Sequence, residues 1–340
     1  MPRKALKVAV FGTGYWASLQ IPSWISVGAE VTAVWNRTHE KAVAVAENFG
    51  IPKVYRGLEE AFSDAEYDVA DIITEVEGHY PLVMMAASYQ KPVICQKPLA
   101  GTFEECREMA AACEKNHTWF AVHENFRYRQ SLRRIKQILD EGTLGRVFWA
   151  NITMRSLSRK RFEESPHYLL PKNIATQVMG PHIFDVTRFF FGDAKSIYCA
   201  QTTTFPDLGT LDTILAVVTM KSGVLVQCSL CTGSPPGIYI SGEKGSLTLD
   251  ERNTLTVARG GVSQLLEYTE PVKPDFIPQK SWEYHGGEGM LSIAACLEDL
   301  QRSFLAGVPA KTSGADYLKT MELVFEANTS FDMNEARALS

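Results

Sequence analysis

Gly12-Thr13-Gly14-Tyr15-Trp16-Ala17 is a G-x-G-x-x-A run, placed directly after the apolar stretch Lys7 to Phe11 and opening a helical pattern. There each small residue has a task. The first glycine permits a tight turn, the second lets the backbone approach a pyrophosphate, and the small third position lets helix and strand pack closely. The helix start offers free N–H groups and a positive dipole end to the phosphates. Gly12, Thr13, Gly14, Tyr15 and Trp16 are therefore candidate cofactor contacts, the plain alternative being an ordinary turn. A dinucleotide site also needs a ribose-binding residue about 20 positions further on, at the end of the second strand. Asn36 stands there, followed by Arg37 and Thr38, and no carboxylate is present. Asn36 can bond a ribose hydroxyl. Arg37 can accept a 2′-phosphate or merely stack on adenine, so NAD and NADP both remain open.

Such groups need a rigid frame, and the hydrophobic pattern supplies one. Lys7 to Phe11, Glu30 to Trp35, Val69 to Thr74, Pro92 to Cys95 and Trp119 to His123 read as strands. Between them lie helical patterns: Thr38 can cap a helix with Ala42, Val45, Ala46 and Phe49 on one face and Gly50 as its stop. Thr102 and Glu105 form a capping box for a helix running to about Asn116. This alternation predicts a doubly wound parallel sheet with helices on both faces. After a helix marked by Leu132, Ile135, Ile138 and Leu139, ending near Gly142, the pattern changes. Arg146 to Met154, Ser196 to Thr203, Leu211 to Thr219, Gly223 to Cys231, Ile238 to Ile240 and Ser246 to Leu249 read as strands separated by turns. Few helices intervene, which predicts an α+β domain built on a large, mostly antiparallel open sheet. The expected division is 1–124 for the dinucleotide domain and 125–340 for the second. The segment from Leu291 to about Met333 is helical again, and these last helices are candidates to pack back on the first domain.

Bulk composition narrows the function. The chain has 340 residues, 45% hydrophobic and 21% charged, with a formal net charge of −5. No long basic run invites nucleic acid or an anionic membrane. The basic start, Met1 to Lys7, precedes too short an apolar stretch for a signal peptide, and no window reaches a membrane span. The seven cysteines fall at 95, 106, 113, 199, 228, 231 and 296, an odd, scattered set that suits a reducing cytoplasm. Cys228 and Cys231 form a CxxC inside a strand-like run without a second ligand pair, so both read as buried small residues and no metal site is expected. Strand-like runs such as Leu211 to Met220 are candidates for burial in a homodimer or homotetramer, the alternative being packing against the domain's own helices.

At Lys91-Pro92-Val93-Ile94-Cys95-Gln96-Lys97-Pro98-Leu99-Ala100 the chain resembles the "GKHVLCEKPLA" segment of the glucose–fructose oxidoreductase / inositol dehydrogenase / rhizopine-catabolism (GFO/IDH/MocA) family. The likeness continues in order. Thr74 with His79 resembles the family's "TP…H" turn, and Asn125 with Arg127 its "N-x-R". Gly180, His182, Asp185 and Arg188 resemble the "DxGxHxxDxxR" helix, and Gly307, Pro309, Thr312-Ser313-Gly314 and Asp316 the "GxPxxTSGED" segment. Within the family, Cys95-Gln96-Lys97-Pro98 and Val122-His123-Glu124-Asn125 resemble the branched-pentose (apiose) dehydrogenase group. Two departures stand out. Gln96 replaces the usual glutamate before the lysine, and Val178 replaces the aspartate four residues before the histidine.

The resemblance implies an N-terminal Rossmann domain and hydride transfer between NAD or NADP and a carbinol carbon of a sugar, polyol or sugar acid. It makes Lys97 and His182 the catalytic candidates. A lysine at the carboxyl edge of the sheet can bond the reacting oxygen, polarise a carbonyl or, desolvated, take the hydroxyl proton. An imidazole titrating near neutral pH can take and return a proton. Without the resemblance, Lys97 would read as a surface lysine and His182 as a buried structural histidine. With Val178 unable to orient the ring, either Gln177 or Asp185 takes that role or Lys97 carries more of the proton transfer. The resemblance adds Thr74, His79, Gln96, Lys97 and Asn125 to the cofactor contacts. Lys97, Glu124, Asn125, Arg127, Arg155, His167, Tyr168, Lys172 and His182 are candidates to read substrate hydroxyls, with a domain-junction or surface role as the alternative for Glu124, Asn125, Arg127, Arg155, His167, Tyr168 and Lys172, and an even choice between the two for Arg127; Trp282, Glu283 and His285 are candidates to cap the site. Arg155 to Glu164 reads as an exposed charged loop. Two other readings stand beside this one: a reductase of a non-sugar carbonyl or diol, and a catalytically silent dinucleotide sensor.

Overall fold

The computed structural model describes residues 5–164, 172–266, 272–275, 277–285 and 287–340. The chain divides into two compact units: Met1–Arg129 with Glu270–Leu318, and Gln130–Thr269 with Lys319–Ser340.

The first unit alternates strand and helix as the apolar pattern requires: β1 (Lys7–Phe11), α1 (Tyr15–Ser26), β2 (Glu30–Trp35), α2 (His39–Phe49), β3 (Lys53–Val54), α3 (Leu58–Ser63), β4 (Val69–Ile72), α4 (His79–Ser88), β5 (Val93–Gln96), α5 (Phe103–Lys115) and β6 (Phe120–His123). The six strands form one parallel sheet in the order β3-β2-β1-β4-β5-β6. β4, β5 and β6 are buried at every position, the signature of a sheet covered on both faces. Helix ends follow local chemistry. Gly50 closes α2 at φ +68, a left-handed conformation that glycine adopts without a Cβ penalty. Thr38 stands at the N-cap of α2 but makes no side-chain cap bond. The Thr102–Glu105 capping box at α5 is complete in both directions.

The second unit carries α6 (Gln130–Asp140), β7 (Val147–Met154), α7 (Arg159–Glu164), a π-helical turn at Ala175–Met179, α8 (Gly180–Phe191), β8 (Ala194–Thr202), β9 (Thr213–Met220), β10 (Leu225–Leu230), β11 (Gly237–Gly242), β12 (Gly245–Leu249), β13 (Leu255–Arg259), β14 (Val262–Leu266) and β15 (Arg337–Ala338). Its nine strands run β14-β13-β12-β11-β7-β10-β9-β8-β15. All neighbours are antiparallel except β10 with β7. Burial alternates along β8 and β9, so one face is covered and the other open.

Two expectations need correction here. Strand β10 stops at Leu230, so Cys231 lies beyond it, only partly buried, while Cys228 is fully buried. Hydrogen bonding from the Gly233 backbone, with smaller help from Ser234 and Thr213, holds the Cys231 thiol below its ordinary value. The segment 155–164 is not all loop: α7 buries Phe162, and its charges are paired, Arg159 with Asp207 at 2.6 Å and with Glu163 at 3.2 Å.

The chain then returns to the first unit through α9 (Gln279–His285) and α10 (Gly287–Leu305), and α11 (Gly314–Met333) follows. Met290, Ile293, Cys296, Leu297 and Leu300 of α10 join Trp24, Ile21, Val8, Val10 and Ile94 in one buried cluster. Each such side chain, fully buried, contributes roughly 1.5–3 kcal/mol. Among the described residues no helix is long and apolar enough to cross a membrane.

Candidate active site

The loop after β1 has the shape its glycines require. Gly12 lies at φ +119, and a Cβ there would stand 2.5 Å from the Ile73 carbonyl oxygen, so both conformation and space demand glycine. Its N–H donates to the Trp35 carbonyl at 2.9 Å, closing the loop against the end of β2. Gly14 differs: φ is −75, and a Cβ would meet nothing within 4 Å. It caps α1, whose first turn has no side-chain cap and no acidic residue. Thr13 is partly buried, Tyr15 is exposed and donates its hydroxyl to Ser281 Oγ at 3.2 Å, and Trp16 packs on the core with Ala17 beneath it. These residues fit a dinucleotide: Gly12 lets the loop pass tightly against the end of β4, and the helix end at Gly14 is open. At the end of β2, Asn36 donates Nδ2 to the Thr38 carbonyl at 3.0 Å, and Arg37 is exposed.

The loops after β4 and β5 are stitched together by His79. Its ring is buried, with Nδ1 2.9 Å from the Pro98 carbonyl oxygen and Nε2 3.1 Å from that of Thr74. Burial pushes its pKa down against the pull of those carbonyls. A ring so enclosed ties the two loops to each other. Thr74 Oγ1 is a buried hydroxyl without a hydrogen-bond partner among the described residues. It stands where a Cβ on Gly78 would come within 2.6 Å. Such a hydroxyl suits a ligand at this edge.

Lys97 follows β5, at the carboxyl edge of the sheet, where ligands of doubly wound folds bind. Burial brings its ammonium down to about 8, and the neighbouring Glu124 carboxylate opposes that shift. Glu124 is fully buried after β6, with Oε1 accepting the Phe126 N–H at 3.0 Å and Oε2 the Tyr317 hydroxyl at 3.0 Å. It acts on Lys97 by charge. Arg127 takes the structural place that stood beside its substrate reading. Its guanidinium donates to the Lys311 carbonyl and pairs with Asp316, both at 3.1 Å, which fixes the chain after β6 to the first turn of α11. Asn125 donates Nδ2 to Ser292 Oγ at 2.7 Å.

Beneath Lys97 lies a buried polar chain that no motif announces. Trp24 Nε1 and Gln20 Nε2, one helical turn apart on α1, donate to the Asp71 carboxylate of β4 at 2.7 to 2.9 Å. Gln96 Nε2 donates to Gln20 Oε1 at 2.7 Å and lies 3.0 Å from His123 Nδ1. Gln96 Oε1 accepts the Lys97 backbone N–H at 3.1 Å. Burial lifts the Asp71 carboxyl to about 7, against the hydrogen bonds from Trp24 and Gln20. The signal that could have found it was an aspartate inside an otherwise apolar buried strand, facing a glutamine inside an apolar helix face.

In the second unit, His182 sits buried in the first turn of α8, just after the π-helical turn that holds Gln177 and Val178. Asp185 accepts the Thr320 hydroxyl at 3.1 Å, and Arg188 donates to that hydroxyl at 2.9 Å. Arg155 and Lys172 are exposed. Trp282 packs on the core cluster of the first unit, and Glu283 is exposed and accepts from Gln279 at 2.7 Å. His167, Tyr168 and the side chain of His285 lie outside the described residues.

Residues 6–124 match the model of an oxidoreductase family with an NAD-binding Rossmann fold, and residues 132–248 match the GFO/IDH/MocA C-terminal domain. The chain belongs to the GFO/IDH/MocA family of oxidoreductases. A D-apiose dehydrogenase from Paraburkholderia graminis is 30% identical over 335 residues, covering 94% of this chain and 86% of that protein. One from Rhizobium rhizogenes is also 30% identical, covering 96% of this chain and 95% of its own length. An Agrobacterium radiobacter oxidoreductase solved with NAD+, L-tartaric acid and magnesium superposes with a TM-score of 0.88 at 27% identity, covering 98% of each chain. The chain is thus a nicotinamide-dependent dehydrogenase of a family that acts on sugar and polyol CH–OH groups.

Proposed function

We propose that this GFO/IDH/MocA member oxidises a carbinol carbon of a branched pentose of the apiose type, or a close polyol relative, with NAD. The observation that carries this reading is Lys97, brought to about 8 by burial beside Glu124 at the carboxyl edge of the sheet. At neutral pH about a tenth of such a group is free amine, against less than about a thousandth for an ordinary lysine. The bound cofactor supplies one thing, an acceptor for the hydride leaving the carbinol carbon. The Lys97 amine takes the hydroxyl proton as the carbonyl forms, and Glu124 stabilises the resulting ammonium. In the reverse direction the ammonium polarises the carbonyl and returns the proton. His182 is the second candidate for proton transfer. The two D-apiose dehydrogenases support the substrate class, and the NAD+ and polyhydroxy acid bound by the Agrobacterium protein support cofactor and substrate chemistry.

Asn36 favours NAD over NADP. With Nδ2 committed to Thr38, the amide oxygen remains as an acceptor, and an acceptor suits a ribose hydroxyl better than a phosphate. The deciding experiment assays apiose, other pentoses, hexoses, polyols and sugar acids with NAD and with NADP. Apiose with NAD should give the highest kcat/KM. No change in nicotinamide absorbance with any of them would return the chain to the sensor reading.

The open face of the nine-stranded sheet is proposed to bind a second copy of the chain. Tyr198, Leu215, Val217, Leu225 and Tyr239 expose apolar surface on four strands of that face. A monomeric mass in sedimentation at micromolar concentration would refute this.

A further inference from the structure

The buried chain under Lys97 has a fixed direction. Asp71 meets only N–H donors, from Trp24 and Gln20. Above about pH 7, where Asp71 is a carboxylate, it can only accept, so Gln20 turns its nitrogen to β4 and its oxygen to β5. Gln96 must then turn its nitrogen to Gln20, which leaves its oxygen for the Lys97 N–H. The orientation of each amide follows from the one before it. Gln20, Trp24 and Asp71 are fully buried, and Gln96 and His123 nearly so, so no solvent can repair a reversed link.

We infer that Gln20 and Asp71 are positioning residues for Lys97, acting through Gln96: the acceptor at position 71 sets which atom of Gln96 faces the backbone of the catalytic lysine. The inference rests on the dehydrogenase reading of Lys97 given above. It also gives a reason for glutamine at position 96. A carboxylate there would face Gln20 Oε1 with no proton to donate and would put two anions on one amide.

The direction can be reversed by design. In Asp71→Asn the new amide keeps its oxygen for Trp24 and offers its nitrogen to Gln20. Gln20 turns over, Gln96 follows, and a nitrogen then faces the Lys97 N–H. Gln96→Glu breaks the wild-type chain from the other end. In the double variant the links agree again: the amide at position 71 donates to Gln20, Gln20 donates to the carboxylate at position 96, and an oxygen of that carboxylate accepts the Lys97 N–H. The test is this cycle in alkaline buffer, read as kcat with the best polyol and as the rate of Lys97 acetylation by acetic anhydride, followed by peptide mass spectrometry. Each single variant should lose at least about tenfold in kcat with little change in KM for cofactor, and the double should recover to within about threefold of wild type. Lys97 acetylation should shift in the singles and return in the double. Singles that match wild type in both readouts, or a double no better than the worse single, overturn the inference. If the singles fail to fold, a folded double supports it and an unfolded double overturns it. Wild type inert toward every polyol defeats the dehydrogenase reading instead, while the acetylation arm still decides the positioning claim.

Discussion

The two sheets handle polar side chains under opposite constraints. In the six-stranded sheet β4, β5 and β6 are buried at every position, so Asp71 and Gln96 have no water to turn to and are satisfied by Gln20 and Trp24 of α1 and, for Gln96, by His123 Nδ1. In the nine-stranded sheet, polar side chains such as Thr153 and Ser229 lie on the partly exposed face and bond across β7 and β10 at 2.9 Å. A buried polar group left unmatched costs about 1–3 kcal/mol, whereas one that reaches water costs little. The difference shows where precision is built. The first sheet holds the edge that carries Lys97 through obligatory, directional bonds, and the second tolerates change on its open face.

The sharpest test of that contrast is at the edge of the first sheet. Lys97→Ala should lower turnover at least about 100-fold while leaving cofactor affinity nearly intact, measured by steady-state kinetics and NADH fluorescence. Near-normal turnover would remove the lysine from the mechanism. Next in size is the pair of glycines. Gly12→Ala forces a Cβ against the Ile73 carbonyl at positive φ and should lower stability by about 2–4 kcal/mol in urea unfolding. Gly14→Ala, at ordinary φ in open space, should stay within about 0.5 kcal/mol. In the bulkier Gly14→Val, loss of cofactor binding with the fold intact separates ligand approach from backbone need, and unchanged affinity would contradict the loop assignment.

A third test uses pH. Asp71 binds its proton more tightly folded, at about 7, than at its ordinary 3.8. Between those values the native state holds more protons than the unfolded chain, so this carboxyl makes stability fall as pH rises from about 4 to about 7. Asp71→Asn should flatten that decline in Tm against pH, and an unchanged slope would show that the carboxyl is not its source. The smallest effect belongs to the open face. Val217→Lys should change monomer stability by no more than about 0.5 kcal/mol while shifting the sedimenting mass towards monomer.

Much of this architecture is legible in the chain. β1 and β2 have the bounds their apolar runs suggest, and the α5 capping box is where Thr102 and Glu105 put it, because short-range pattern and capping chemistry decide those features. β3 and β15, with two residues each, carry too few side chains to show a period, and β14 is exposed along most of its length. The π-helical turn before His182 leaves no mark in the hydrophobic pattern. At the site, the loop glycines and Lys97 were visible as motif. Glu124 and Arg127 were visible as residues, with a structural role among their readings, but their partners Tyr317, Lys311 and Asp316 were not, since those lie far along the chain. Gln20 and Asp71 were hidden for a related reason: each reads as a polar interruption until the fold sets one beside the other.

His79 carries one more consequence. A neutral imidazole has a single N–H, yet this ring stands between two carbonyl oxygens, those of Pro98 and Thr74. Since burial disfavours the doubly protonated ring, one tether is made at the expense of the other at any moment. The tautomer decides which carbonyl is bonded, and the ring's 15N chemical shifts would report which of the two loops, the one bearing the lysine or the one bearing the lone threonine hydroxyl, is being held.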